Sequence, residues 1–138
     1  MVTYSQIITA LKGLVDDVAN VQAVYDYMPV TVTKYPYVVI MPQSHTEEYM
    51  TLRDTKREYV ITIAVIANIE ATKEASQVTV RDIVDGIIAV LGSQTNIQLG
   101  GIVDQSRLTG ATFAFTGDPA SRYSGVITYK CVAKYARE

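Results

Sequence analysis

The spacing of apolar and polar positions changes several times along this chain, and each change marks an element. Thr3 and Gln6 stand at the spacing of a capping box, and a helical stripe follows: Ile7, Ile8, Leu11, Leu14, Val15 and Val18. Lys12, Asp16 and Asp17 lie opposite, which predicts an amphipathic helix over about 4–19 resting on something apolar. The period then shortens. A short strand is predicted at 22–27, and Tyr37–Met41 is an apolar run of strand length closed by Pro36 and Pro42. Pro42 has no N–H to give to a ladder, so pairing is expected to stop or bulge there. Residues 45–53 are mostly polar and read as a strand leaving the sheet or as one arm of a long hairpin. Asp54-Thr55-Lys56 is the expected turn. Over 57–68 one row holds Tyr59, Ile61, Ile63 and Val65, and the other Val60, Thr62, Ala64 and Ile66. Both are largely apolar, the pattern of a central strand covered on both sides.

Helical spacing returns with Val80, Ile83, Val84, Ile87, Ile88 and Leu91, stopped by Gly92, and predicts a helix over 72–91. Gly86 in its interior costs about 1 kcal/mol relative to alanine, so it reads as a place of close packing. Gly100-Gly101 is a turn, strands follow at 102–108 and 112–116, and Gly117-Asp118-Pro119 marks a loop. The last strand, 123–135, sets Tyr123, Ile127, Tyr129, Cys131 and Tyr135 on one row. Its other row, Val126, Thr128, Lys130, Val132 and Lys134, is half polar and faces solvent or a neighbour. Helix, strands, helix, strands, with no repeat or linker, predicts one α+β domain over 1–138. Its sheet is mainly antiparallel, two amphipathic helices pack on one face, and a charged ribbon protrudes at about 43–58.

Composition narrows the function more than the fold. A chain of 138 residues with 49% hydrophobic and 19% charged residues builds a core without staples. Its net charge of −2 gives no general attraction to nucleic acid. One cysteine, Cys131, excludes an intrachain disulfide and a thiolate metal site, and reads as a buried thiol in a reducing compartment. No basic, then apolar, leader opens the sequence, and charges interrupt every candidate membrane span, so a protein used without export is expected.

Few residues in the chain point to chemistry. His45 is the only histidine, and Glu47 and Glu48 lie near it, but no nucleophile or triad motif accompanies them. The default for His45 is a solvated strand residue. Asp82 and Asp85 share a helix face and read as solvated rather than as cation ligands. No phosphate-binding loop or serine elbow occurs, and no cofactor is expected. Ten tyrosines without a tryptophan form a skewed aromatic set, and Tyr25, Tyr27, Tyr35 and Tyr37 gather around the prolines. Tyrosine suits interfaces, having a large apolar body and a polar tip. The ribbon mixes Glu47, Glu48, Asp54 and Glu58 with Arg53, Lys56 and Arg57. A ring of identical subunits would pair such acidic and basic ends between copies, or turn them to a channel. Each exposed pair contributes only about 0–1 kcal/mol, setting register more than affinity.

Taken in order, YPYVVIMP, HTEEYMTLRDTKRE, YVITIAVIA, VRDIVDGIIAVL and RYSGVITYKCVAKY follow an amphipathic first helix. This arrangement resembles the tail terminator (tail completion) and minor tail proteins of long-tailed bacteriophages over nearly the whole chain. The resemblance implies a non-enzymatic α+β subunit, a hexameric ring on the end of the tail tube, and a place in the virion after assembly in the host cytoplasm. Its implied partners are further copies of itself, the tail-tube protein and the head connector, with DNA passing through unbound. A head-completion or connector protein of the neck is the related alternative. A small ligand-binding domain or enzyme around His45, or a monomeric module adding peptides to a sheet edge, are the readings from other classes.

Overall fold

The chain is described by a computed structural model for residues 2–29, 34–50, 54–68, 73–116 and 122–136. The capping box forms as expected at helix α1 (Tyr4–Asp16): Gln6 N donates to Thr3 Oγ1 at 3.3 Å, and Thr3 N to Gln6 Oε1 at 2.9 Å. The helix stops three residues before the predicted end. Val18 N bonds Val15 O at 3.0 Å in a tighter turn, and Asn20 takes a φ of +73°, a region asparagine tolerates. Strand β1 (Ala23–Tyr25) is shorter than predicted. It precedes β2 (Tyr37–Tyr49), β3 (Asp54–Asn68), helix α2 (Lys73–Leu91), β4 (Gln105–Thr116) and β5 (Arg122–Ala136).

The sheet order is β1-β2-β3-β5-β4. β1 runs parallel to β2 and every other pairing is antiparallel, which gives the predicted α+β class with β3 at the centre. Pro42 does not end β2. The strand passes it with a register shift between Pro42 and Ser44, the bulge a residue without an N–H invites. In the same way the two strands expected between 102 and 116 are one, with a shift between Leu108 and Gly110.

The expected turn at Asp54-Thr55-Lys56 is misplaced. Asp54 already belongs to β3, and Thr55 is fully buried between Tyr49 on one side and Tyr135 on the other. Met50 N donates to Asp54 O at 3.0 Å, beyond the last pair of the β2–β3 ladder, Tyr49 with Thr55. Arg53 lies outside the described residues, as does the loop expected at 117–119. The ribbon is also no free two-stranded arm. β5 accompanies β3 to its first residue, Asp54 opposite Ala136, so the charged segment is the end of a three-stranded sheet.

Both helices pack on one face. Ile7, Leu11 and Val15 of α1 and Val80, Ile83 and Ile87 of α2 share a core with Tyr59, Ile61, Ile63 and Val65 of β3 and Ile127, Tyr129 and Cys131 of β5. The predicted rows of β3 and β5 face this core. Full burial stabilises each such aliphatic side chain by roughly 1.5–3 kcal/mol. Two glycines set the layer spacing. A Cβ on Gly86 would stand 2.8 Å from Val18 Cγ1, where the helices meet, so the close packing expected there is present. A Cβ on Gly125 would stand 3.0 Å from Phe113, Val80 and Val84, where α2 meets the sheet. The second row of β3, expected to be covered too, is only half-buried at Val60, Thr62, Ala64 and Ile66. The reason is topological: both helices pack on the opposite face.

Candidate interaction surface

Strand alternation divides the charged end of the sheet between its two faces. On the helix side Glu47 stands opposite Arg57, and His45 opposite Tyr59. Arg57 is bonded to Glu47 and donates to Tyr135 Oη at 3.1 Å and Tyr59 Oη at 3.3 Å. Its guanidinium carbon lies 5.4 Å from the Tyr135 ring centroid and 5.7 Å from that of Tyr59. Burial works to lower the Arg57 pKa, but the hydrogen bonds to Tyr59 and Glu47 outweigh it and hold the group firmly charged. Tyr59 in turn donates to the Val2 carbonyl. Tyr4 Oη lies 2.8 Å from His45 Nδ1, and its ring meets Tyr59 edge-on at 4.9 Å. Burial, and then the neighbouring Tyr59, raise the Tyr4 hydroxyl above its usual range. This network ties the start of α1 to the hairpin. It engages Glu47 and Arg57 within the chain.

The open face has a different character. Glu48 stands opposite Lys56 and Lys56 opposite Lys134; the next row on this face is Thr46, Glu58, Val132 and Gln105. After it come Ser44, Val60, Lys130 and Arg107. Two pairs of like charge therefore face each other directly across strands, Lys56 with Lys134 and Lys130 with Arg107, an arrangement that is locally unfavourable. None of these four cations forms an ion pair among the described residues. A shallow depression of about 130 Å³ lies between Lys56, Glu58, Arg107 and Lys130.

Further from the hairpin the same face turns apolar, through Val39, Ala64 and Val126, and then aromatic. Tyr37 packs edge-on against Tyr25 at 5.8 Å and Tyr35 at 5.3 Å, and Tyr27 against Tyr25 at 5.6 Å. Arg122 stands 5.8 Å above the Tyr35 ring. The four tyrosines singled out in the sequence do gather, but unequally. Tyr37 is buried, and burial followed by Tyr35 raises its hydroxyl pKa, whereas Tyr27 is 58% exposed.

Of the ribbon residues expected at a subunit contact, Glu48, Lys56 and Glu58 share the open face and Asp54 is exposed at the start of β3. Glu47 and Arg57 are engaged within the chain. Lys130, Lys134, Arg107 and Arg122 were not singled out, although the first two already stood together on the half-polar row of the last strand. Arg107 needed the pairing register. No group of three or more metal-ligating side chains occurs among the described residues, and no helix there is long and apolar enough to cross a membrane. Comparison with protein-family models and with curated proteins finds no match for this chain.

Proposed function

We propose that this protein is a structural subunit of a bacteriophage tail, assembling into a ring that caps the tail tube and joins tail to head. The observation that carries the reading is the half-finished sheet. One face holds a complete core, while on the other the described residues present a half-buried apolar row, an aromatic cluster in which Tyr27 is exposed, and a charged band. A contiguous surface of this kind is what a protein keeps for other chains. The order of segments that resembles tail terminators adds the class of assembly. In this reading copies of the chain meet side by side, and the tube protein and head connector dock above and below. DNA passes through the ring without being held.

Native mass spectrometry over a range of concentrations, alone and with the tail-tube protein, tests the proposal. A discrete closed oligomer, six copies on the family's pattern, is the expected result. A monomer under every one of these conditions overturns it. An enzyme built on His45 is tested separately: a turnover lost in His45→Ala with the oligomer intact would replace this reading.

A further inference from the structure

We propose that copies of this chain join head to tail through their sheet edges, the acidic edge strand β2 of one copy against the basic edge strand β4 of the next. This inference rests on the ring reading and gives it a mechanism. Among the described residues β1 pairs only with Tyr37–Val39 of β2, and no strand pairs with the outer edge of β2 from Ile40 to Glu48 or with the outer edge of β4. The exposed Met41 and Tyr49 lie on the first of these strands, and the exposed Phe113 and Phe115 on the second.

The two edges are chemically opposite. β2 contains Glu47 and Glu48 and no lysine or arginine; β4 contains Arg107 and no acid. Glu47 is neutralised by Arg57, which leaves Glu48 as the acid that β2 itself presents on the open face. Arg107 sits on that same face beside Lys130, a like-charged pair with no ion-pair partner among the described residues. An acid from a neighbour placed there relieves it. The same charges oppose β2 meeting β2, or β4 meeting β4, and so disfavour two-fold dimers while permitting a heterologous contact that closes into a ring.

The strand directions agree. β2 is antiparallel to β3, β3 to β5 and β5 to β4, so β2 and β4 run oppositely within one subunit. Around an axis along the strands, β2 of one copy therefore meets β4 of the next in antiparallel fashion, and the sheet continues from subunit to subunit. Glu48 stands in the row of Lys134 and Arg107 in the row of Lys130. Bringing the two side by side takes a slide of about four residues, roughly 13 Å, a stagger of the kind tilted strands produce in closed sheets.

The test is a charge swap read by native mass spectrometry and sedimentation. Glu48→Lys alone and Arg107→Glu alone each place like charges at every contact, and each is expected to weaken association by on the order of tenfold or more. Mixed in equal amounts, the two variants place opposite charges at every contact and should form rings again, as should the double variant on its own. Thermal melts guard against misfolding, and Arg107→Glu should melt no lower than the parent because it relieves the Arg107–Lys130 pair. Wild-type rings with single variants that assemble equally well overturn the edge contact and leave the ring reading standing. So does a mixture that stays dissociated. A wild-type monomer with or without tube protein removes both. Unchanged assembly with loss of binding to a short DNA duplex in Arg107→Glu would assign the basic band to phosphate and overturn the proposal.

Discussion

The two faces of the sheet have the same strands and the same backbone, and they differ in nearly everything else. On the helix face, Tyr59, Ile61 and Ile63 are fully buried and the polar groups at its end are tied into the Arg57 network. On the open face Val60, Thr62, Ala64 and Ile66 are half-buried, and the cations stand beside one another with no ion pair among the described residues. The first face shows what the chain needs in order to fold. The second is, in the proposed reading, what it keeps for other chains. A monomer that ended its evolution alone would gain by replacing one lysine of each like-charged pair, at the scale of roughly 0.2–1 kcal/mol for a cross-strand pair.

This contrast breaks most readily at the core. Ile63→Ala should lose about 2–5 kcal/mol in urea unfolding, whereas Ile66→Thr, three residues along on the open face, should lose less than about 1 kcal/mol. The second variant should nevertheless impair assembly. Equal losses of stability would mean that the two faces are not distinct. Next in size is Arg57→Ala, which leaves Glu47 and two tyrosine hydroxyls without their donor and should cost about 2 kcal/mol. Lys56→Ala, its neighbour on the open side, should be neutral or slightly stabilising by the same measurement.

Alkaline titration comes third. The Cys131 thiol, ordinarily at 9.0, is pushed up to about 12, first by burial and then by Glu58, and burial likewise raises Tyr129. The folded state thus keeps protons that the unfolded chain gives up. The associated stability is complete below about pH 9 and declines as the pH rises toward 12. Cys131→Ala should show a shallower decline over that window, and an identical slope would contradict burial of the thiol. Smallest is Gly86→Ala. The gain of about 1 kcal/mol in helix propensity is opposed by the clash with Val18, typically about 1–3 kcal/mol, so calorimetry should find a net loss of about 1 kcal/mol.

Much of the helix face was legible in the sequence because burial imposes a period. The stripe Ile7, Leu11, Val15, the row Tyr59 to Val65 and the row Tyr123 to Cys131 each face the core as the pattern indicates. The open face was harder to read. Apolar Val60, Ala64 and Ile66 look the same in sequence whether a helix of the same chain or another molecule covers them, and local pattern does not count helices per face. The turn was misplaced because Asp54-Thr55-Lys56 has turn chemistry, while the pairing of Thr55 with Tyr135 depends on a strand some eighty residues away. The Glu47–Arg57 pair and the Lys130–Arg107 contact were hidden for the same reason. Charges within one ribbon look interchangeable until the register assigns them to faces.

Hydroxyl-radical footprinting of the free and the assembled protein tests the central claim most directly, since it reads side chains on each face separately. The account predicts that Tyr49 and Phe113 at the edges, with Tyr27, Met41 and Val126 toward the open face, become protected on assembly. Val78 and Ile88, exposed on the outer side of α2, should keep their reactivity. Protection of α2 with the open face and edges unchanged would contradict it.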